Sequence, residues 1–173
     1  GLGLGMRPRD IVEFYCQEGP SIFGNRFGWR GLLRCVCRKF PQNRLRGALQ
    51  RCFGEKRLGE SHKRLVIPSW DLDEEDVYLF KTPHHERLRR DYKVPIWQVA
   101  LATSAAPTYF PAYRGIDHMR LIDGGVWANN PTMVAVVEAY SMLAVPLDAI
   151  RVLSLGTSDS VVKRPRCLSA GGL

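Results

Sequence analysis

The sequence predicts an α/β domain built on a mostly parallel sheet, and three observations carry that prediction. Short apolar runs alternate with segments of helical periodicity along most of the chain. Two of the runs, Met119 to Ile122 and Ile150 to Leu155 (IRVLSL), flank a helix opened by Asn130-Pro131 and running through Leu143. That is the spacing of a strand, helix, strand unit with a right-handed crossover. Finally, 173 residues with 45% hydrophobic and 24% charged content suffice for one domain with its own core and fall short of two. No window approaches the roughly 18 uninterrupted apolar residues of a spanning helix, so a disordered chain and a membrane-spanning one both read poorly.

Arg7 to Glu18 reads as the first helix. Pro8 suits its first turn, Ile11, Phe14, Tyr15 and Glu18 recur at helical spacing, and Gly19-Pro20 reads as its stop. After a stretch rich in Gly and Arg, Leu45, Ala48, Leu49, Cys52 and Phe53 form a second amphipathic stripe ended by Gly54. Arg64 to Trp70 (RLVIPSW) and Val77 to Thr82 (VYLFKT) are β-rich and joined by an acidic connection, as in adjacent strands. Pro95 opens a helix through Ala105 (PIWQVALATSA), small and apolar on more than one side, which predicts burial against a sheet; Pro107 ends it. Residues 163–173 read as a flexible tail.

Charge is unevenly spread. The formal net charge is +8, and residues 26–64 hold twelve Lys or Arg against two acids. Interleaved Phe27, Trp29, Phe40 and Phe53 equip that segment to dock on an anionic membrane surface, while a solvated Arg-rich helix and loop is the plainer reading. No nucleic-acid motif accompanies the charge, so no nucleic-acid partner is expected. The five cysteines (Cys16, Cys35, Cys37, Cys52, Cys167) lack framework or zinc-knuckle spacing and fit reduced thiols in a cytoplasmic chain. His84-His85-Glu86 is a weak metal string, because adjacent side chains diverge. Neither a metal nor an organic cofactor is implied.

The most specific segment runs from Leu101 to Pro131: LATSAAPTYFPAY, then RLIDGGVWANNP. Asp123 ends an apolar strand and is followed at once by Gly124 and Gly125, the place where open α/β sheets carry reactive groups. The two glycines permit positive φ and let another backbone or a substrate approach the carboxylate. Taken alone, Asp-Gly-Gly is also the sequence of a tight turn with a self-capping Asp.

The wider context resembles the C-terminal half of the catalytic domain of patatin-like phospholipases of the bacterial type. In that family a serine in a Gly-x-Ser-x-Gly elbow pairs with the Asp of an Asp-Gly-Gly or Asp-Gly-Ala motif, and Asp123, Gly124 and Gly125 match the second element residue by residue. The flanking SAAPTYFPAY, GVWANNP and RVLSLGT segments resemble the family's neighbouring strands and helix, and GLGLG with RPRDIVEFYCQEGPSIF resembles the family's segment immediately after the elbow.

The resemblance implies a three-layer α/β/α sandwich and a lipid acyl hydrolase using a Ser-Asp dyad, with phospholipid or another acyl-ester lipid as substrate. Asp123 would be its general base. No His comes after Asp123, so the Ser, acid, His order of an α/β-hydrolase triad is absent, and His62, His84, His85 and His118 read as structural or surface residues.

Neither Gly-x-Ser-x-Gly nor the family's Asp-Gly-Gly-Gly-x-Arg-Gly oxyanion loop occurs in these residues. The expectation is therefore an N-terminally truncated domain, inactive by itself, whose nucleophile lies upstream; Ser104, Ser154 and Ser158 read as packing or turn residues. The expected location is cytoplasmic, peripheral at the inner membrane surface. The alternative reading is a catalytically inactive membrane- or lipid-binding module that kept the fold and the Asp-Gly-Gly turn. Some bacterial relatives are triggered by nucleotides, but no residue here assigns such a site.

Overall fold

A computed structural model describes residues 1–24 and 40–156. The aromatics Phe27 and Trp29, the cysteines Cys35, Cys37 and Cys167, Ser158, most of the Gly- and Arg-rich stretch and the 163–173 tail lie outside the described residues.

Helix α1 (Pro8–Phe23) opens with Pro8 at its first position and an Arg7–Asp10 cap, in which the Arg7 N–H and guanidinium both donate to the Asp10 carboxylate. It does not stop at Gly19-Pro20 but runs through Pro20 to Phe23. The hydrogen bond that Pro20 cannot donate falls on an exposed turn, where its loss leaves no buried acceptor unpaired. Packing decides the continuation: Ile22 is buried with Ala48 and Phe110, and the Phe23 ring meets those of Phe40 and Phe110 edge-on. Helix α2 (Gln42–Phe53) places Ala48 and Leu49 inward and ends at Gly54, which takes the positive φ of 55° that the sequence pattern assigns to a glycine.

Strands β1 (Val66–Asp71) and β2 (Asp76–Lys81) form an antiparallel hairpin, Ile67 opposite Phe80 and Ser69 opposite Tyr78. Its acidic connection is turn chemistry, with the Asp71 carboxylate accepting from the Asp73 N–H at 2.9 Å and Asp73 paired to Arg120. After helix α3 (Ile96–Thr103), strand β3 (Leu121–Asp123) pairs antiparallel with β1, so that Ser69 lies opposite Asp123. The order is β2-β1-β3. A short helix α4 (Gly125–Ala128) and helix α5 (Thr132–Leu143) complete the chain of elements, with the Asn130 side chain capping the Thr132 N–H at 3.1 Å.

The expected mostly parallel sheet with a strand, helix, strand crossover is corrected here. Every strand pair among the described residues is antiparallel, and Ile150 to Leu155 has no regular secondary structure and does not join the sheet. A strand exists only through a partner's hydrogen bonds, and this run instead borders a groove along α5 with Leu153 and Leu155 more than four-fifths exposed.

Side chains alternate across the sheet, and each face meets a helix. Ile67, Tyr78, Phe80 and Leu121 project to one side and share a core with Val99, Leu101 and Ala102 of α3. Lys81 projects to the other, where it meets Glu138 of α5. Helix, sheet and helix are thus stacked as three layers, the α/β arrangement expected, on a sheet of different polarity. Its outer surface remains apolar in places: Met133, Val137 and Tyr140 form an exposed stripe on α5, and Val152, Leu153 and Leu155 are exposed as well. Residues 1–173 expressed alone are therefore expected to self-associate in light scattering. A monodisperse monomer with one cooperative melt would contradict this.

Candidate active site

The Asp123 turn is built by three neighbours. β1 supplies its floor: the Ser69 hydroxyl, fully buried, donates to the Ile122 carbonyl at 2.6 Å and registers β3 on β1. The end of α3 supplies its wall, because the Asp123 N–H donates to the Ala105 carbonyl at 3.1 Å. α4 closes it, with the Trp127 indole N–H reaching the Ser69 carbonyl at 3.0 Å. The half-buried Asp123 side chain then stands at the end of β3 with its two oxygens in different situations. Oδ1 accepts the Gly125 N–H at 2.7 Å, whereas Oδ2 accepts no hydrogen bond among the described residues. The carboxylate is thus a self-capping turn residue and an open acceptor at once.

The glycines are needed for a reason other than positive φ, since neither takes a left-handed conformation; Gly124 has φ −65°. A Cβ on Gly124 would lie 2.2 Å from the Pro68 carbonyl oxygen, and that carbonyl is fixed from another direction by the Thr103 hydroxyl at 2.7 Å. The demand is close approach of two backbones. At Gly125 a Cβ would stand 3.0 Å from Asp123 Oδ1. Gly124→Ala is accordingly expected to cost about 3 kcal/mol, the upper end of ordinary overpacking. A denaturant midpoint matching the parent's would contradict that.

Two of the serines weighed as nucleophiles are engaged elsewhere. Ser104 Oγ donates to the Ala100 carbonyl at 2.6 Å, and Ser154 Oγ lies 3.4 Å from the Thr132 hydroxyl. No serine hydroxyl bonds Asp123 among the described residues.

A family model described as patatin-like phospholipase matches residues 1–136, and these include the Asp123 turn. The chain belongs to the patatin-like phospholipase family. Among the similar proteins, a cGAMP-activated phospholipase of Escherichia coli is 30% identical over 91% of this chain and 46% of its own length. One of the same name from Pseudomonas aeruginosa is 33% identical over 91% of this chain and 47% of its own. Patatin-like protein 3 of Arabidopsis thaliana is 32% identical, covering 87% and 41%. The chain therefore spans about half the length of the relatives it matches.

Within this patatin-like domain the histidines divide. His62 and His118 sit in surface turns, His118 with a φ of 63°, and the His85 Nδ1 accepts the Arg87 N–H at 3.2 Å. The His84 side chain is nearly covered: its Nε2 is 3.0 Å from Glu138 Oε1 and its Nδ1 2.8 Å from the Thr82 hydroxyl. A carboxylate only accepts, so Nε2 carries the proton. Lys81 Nζ closes the cluster at 2.6 Å from Glu138 Oε2. His84 and His85 thus face different partners, and no set of three metal-type side chains converges among the described residues. Cys16 and Cys52 are both free thiols, and burial pushes the Cys52 thiol up. Sequence reasoning missed Glu138, although a single acid inside TMVAVVEAYSML was its signal.

Proposed function

We propose that this chain supplies the acid half of a Ser-Asp dyad in a lipid acyl-ester hydrolase, with Asp123 as general base and phospholipid as the leading substrate class. The observation carrying this reading is the asymmetry of the Asp123 carboxylate: Oδ1 is held by the Gly125 N–H, and Oδ2 is left to receive a proton. Similarity to proteins named as phospholipases supports the substrate class.

In this reading the nucleophilic serine lies in a part of the protein outside these residues. Its hydroxyl proton passes to Asp123 Oδ2 as the oxygen attacks the ester carbonyl. The protonated carboxyl then gives the proton to the departing alcohol, leaving an acyl-enzyme. Water attacks that ester with Asp123 again taking the proton, the fatty acid leaves, and the serine is restored. The Gly125 N–H keeps the carboxylate aimed through both steps, so neither a third residue nor a cofactor is called on.

The protein would work at a bilayer surface, docked by the basic 26–64 segment. Among the described residues no helix is long and apolar enough to cross a membrane. The test is made on the full-length protein. Covalent labelling by a fluorophosphonate probe, together with release of fatty acid from phospholipid vesicles, is expected. Absence of both would return the reading to a lipid-docking module without chemistry.

A further inference from the structure

Among the described residues β2 is an edge strand, and the connection from Thr82 to Lys93 folds back to cover it. The fold-back is held by a buried carboxylate: Asp91 accepts from the Tyr78 hydroxyl at 2.9 Å, from the Lys81 backbone N–H at 3.2 Å and from the Arg90 Nε at 3.0 Å. Local bonds from Leu88 N–H to His85 O and from His84 N–H to Thr82 O fix the rest. This connection leaves a cavity of about 230 Å³ beside Asp91, walled by Lys81, Arg87, Leu88, Arg89 and Arg90.

The charges around that cavity do not cancel. Asp91 already has three donors, and Lys81 is matched by Glu138. Arg90 is paired with Asp91 through Nε only and lies over the Tyr78 ring, 4.2 Å from its centroid. Arg89 gives its Nε to the Glu86 carbonyl at 2.9 Å, which orients the guanidinium and leaves its terminal nitrogens uncommitted. Arg87 has no carboxylate partner among the described residues. Three arginines line this one cavity, and arginines grouped in this way suit an anion with several oxygens, because a lone carboxylate is satisfied by a single fork.

We infer that the cavity between β2 and the Arg87–Arg89–Arg90 turn is a phosphate-binding site, separate from the Asp123 turn. The two lie on opposite edges of the three-stranded sheet, about 10 Å apart across two strand spacings alone, and Lys81 and Asp123 project from opposite faces. That exceeds the few bonds between an ester carbonyl and the phosphate of one glycerophospholipid. The phosphate bound here therefore belongs to a second molecule, a neighbouring lipid headgroup or a soluble phosphate compound.

The test uses full-length protein carrying Asp123→Asn, with binding as readout, so that its outcome does not depend on the proposed hydrolysis. Inorganic phosphate is titrated calorimetrically, and sedimentation is compared for phosphatidylcholine vesicles with and without phosphatidic acid. Adding R87A/R89A is expected to weaken binding about tenfold or more. Arg89→Lys, which keeps the charge and loses the fork, is expected to fall between, and exposed Arg9→Ala to change nothing. Saturable binding of free phosphate that the double variant loses assigns a soluble source. Gain only on vesicles with phosphatidic acid, equally lost, assigns a lipid headgroup. Binding in neither arm, binding equal in the double variant, or an equal loss in Arg9→Ala would overturn the site.

Discussion

Asp123→Asn in the full-length protein is expected to lower phospholipid turnover by at least about a hundredfold and up to about ten-thousandfold, the range a positioned general base supplies. The substitution is nearly isosteric. The Asn amide oxygen still accepts the Gly125 N–H, as Oδ1 does now at 2.7 Å, so the turn and its packing survive. What changes is the other position, where an amide N–H₂ would stand in place of Oδ2. That group donates and cannot take a proton from serine. No histidine is hydrogen-bonded to Asp123 among the described residues, so none is held there to substitute as base. Melting and vesicle binding are therefore expected to match the parent while kcat falls. Turnover above a tenth of the parent would refute the role given to Asp123.

The legibility of each element in the sequence depends on what its signal measures. Periodicity reports a face awaiting burial, so α2 and the β1–β2 hairpin are readable from the placement of their apolar residues, whereas α3 and α5 are readable from the Pro95 and Asn130-Pro131 signals that open them. Boundaries set by tertiary contact were not. Nothing local to Gly19-Pro20 announces that Ile22 and Phe23 will pack against Phe110, whose partner positions are far along the chain. Strand polarity is likewise a property of pairs: IRVLSL reads as a strand by composition, but its ladder needs a neighbour, and β3 found its neighbour in β1.

The Asp-Gly-Gly turn was found for its sequence and only half for its reason. A glycine pair suggests left-handed backbone, whereas Gly124 is required because the Pro68 carbonyl leaves no room for a Cβ. That carbonyl comes from another strand, so no reading of the turn alone would supply it. The Arg87, Arg89 and Arg90 grouping was hidden by the same logic. A run reading ERLRRD looks like an ordinary solvated loop until Asp91 is seen turned inward to Tyr78, leaving its cationic neighbours around a cavity.

Glu138→Ala is expected to lower the stability of this domain in the full-length protein by about 3–5 kcal/mol, the cost of removing one member of a buried ion pair. Glu138 is only 6% exposed and serves two partners from opposite sides, Lys81 at 2.6 Å and the nearly covered His84 side chain at 3.0 Å. Truncation leaves the Lys81 ammonium and the His84 imidazole N–H without their carboxylate acceptor, with the His84 side chain only 4% exposed. Glu138→Gln keeps an acceptor for one partner and is expected to lose less. Replacing the pair together, as Lys81→Met with Glu138→Leu, is expected to recover much of the loss, because no orphaned charge remains. Urea midpoints on the three variants decide the matter, and a Glu138→Ala midpoint at the parent value would remove the cluster from any structural role. Because no hydrogen bond links α5 to the Asp123 carboxylate among the described residues, folded Glu138→Ala protein is expected to keep its turnover at low temperature. Asp123→Asn would thus lose chemistry with its fold intact, and Glu138→Ala would lose stability with its chemistry intact, separating the residue proposed to move a proton from the one that holds the layers together.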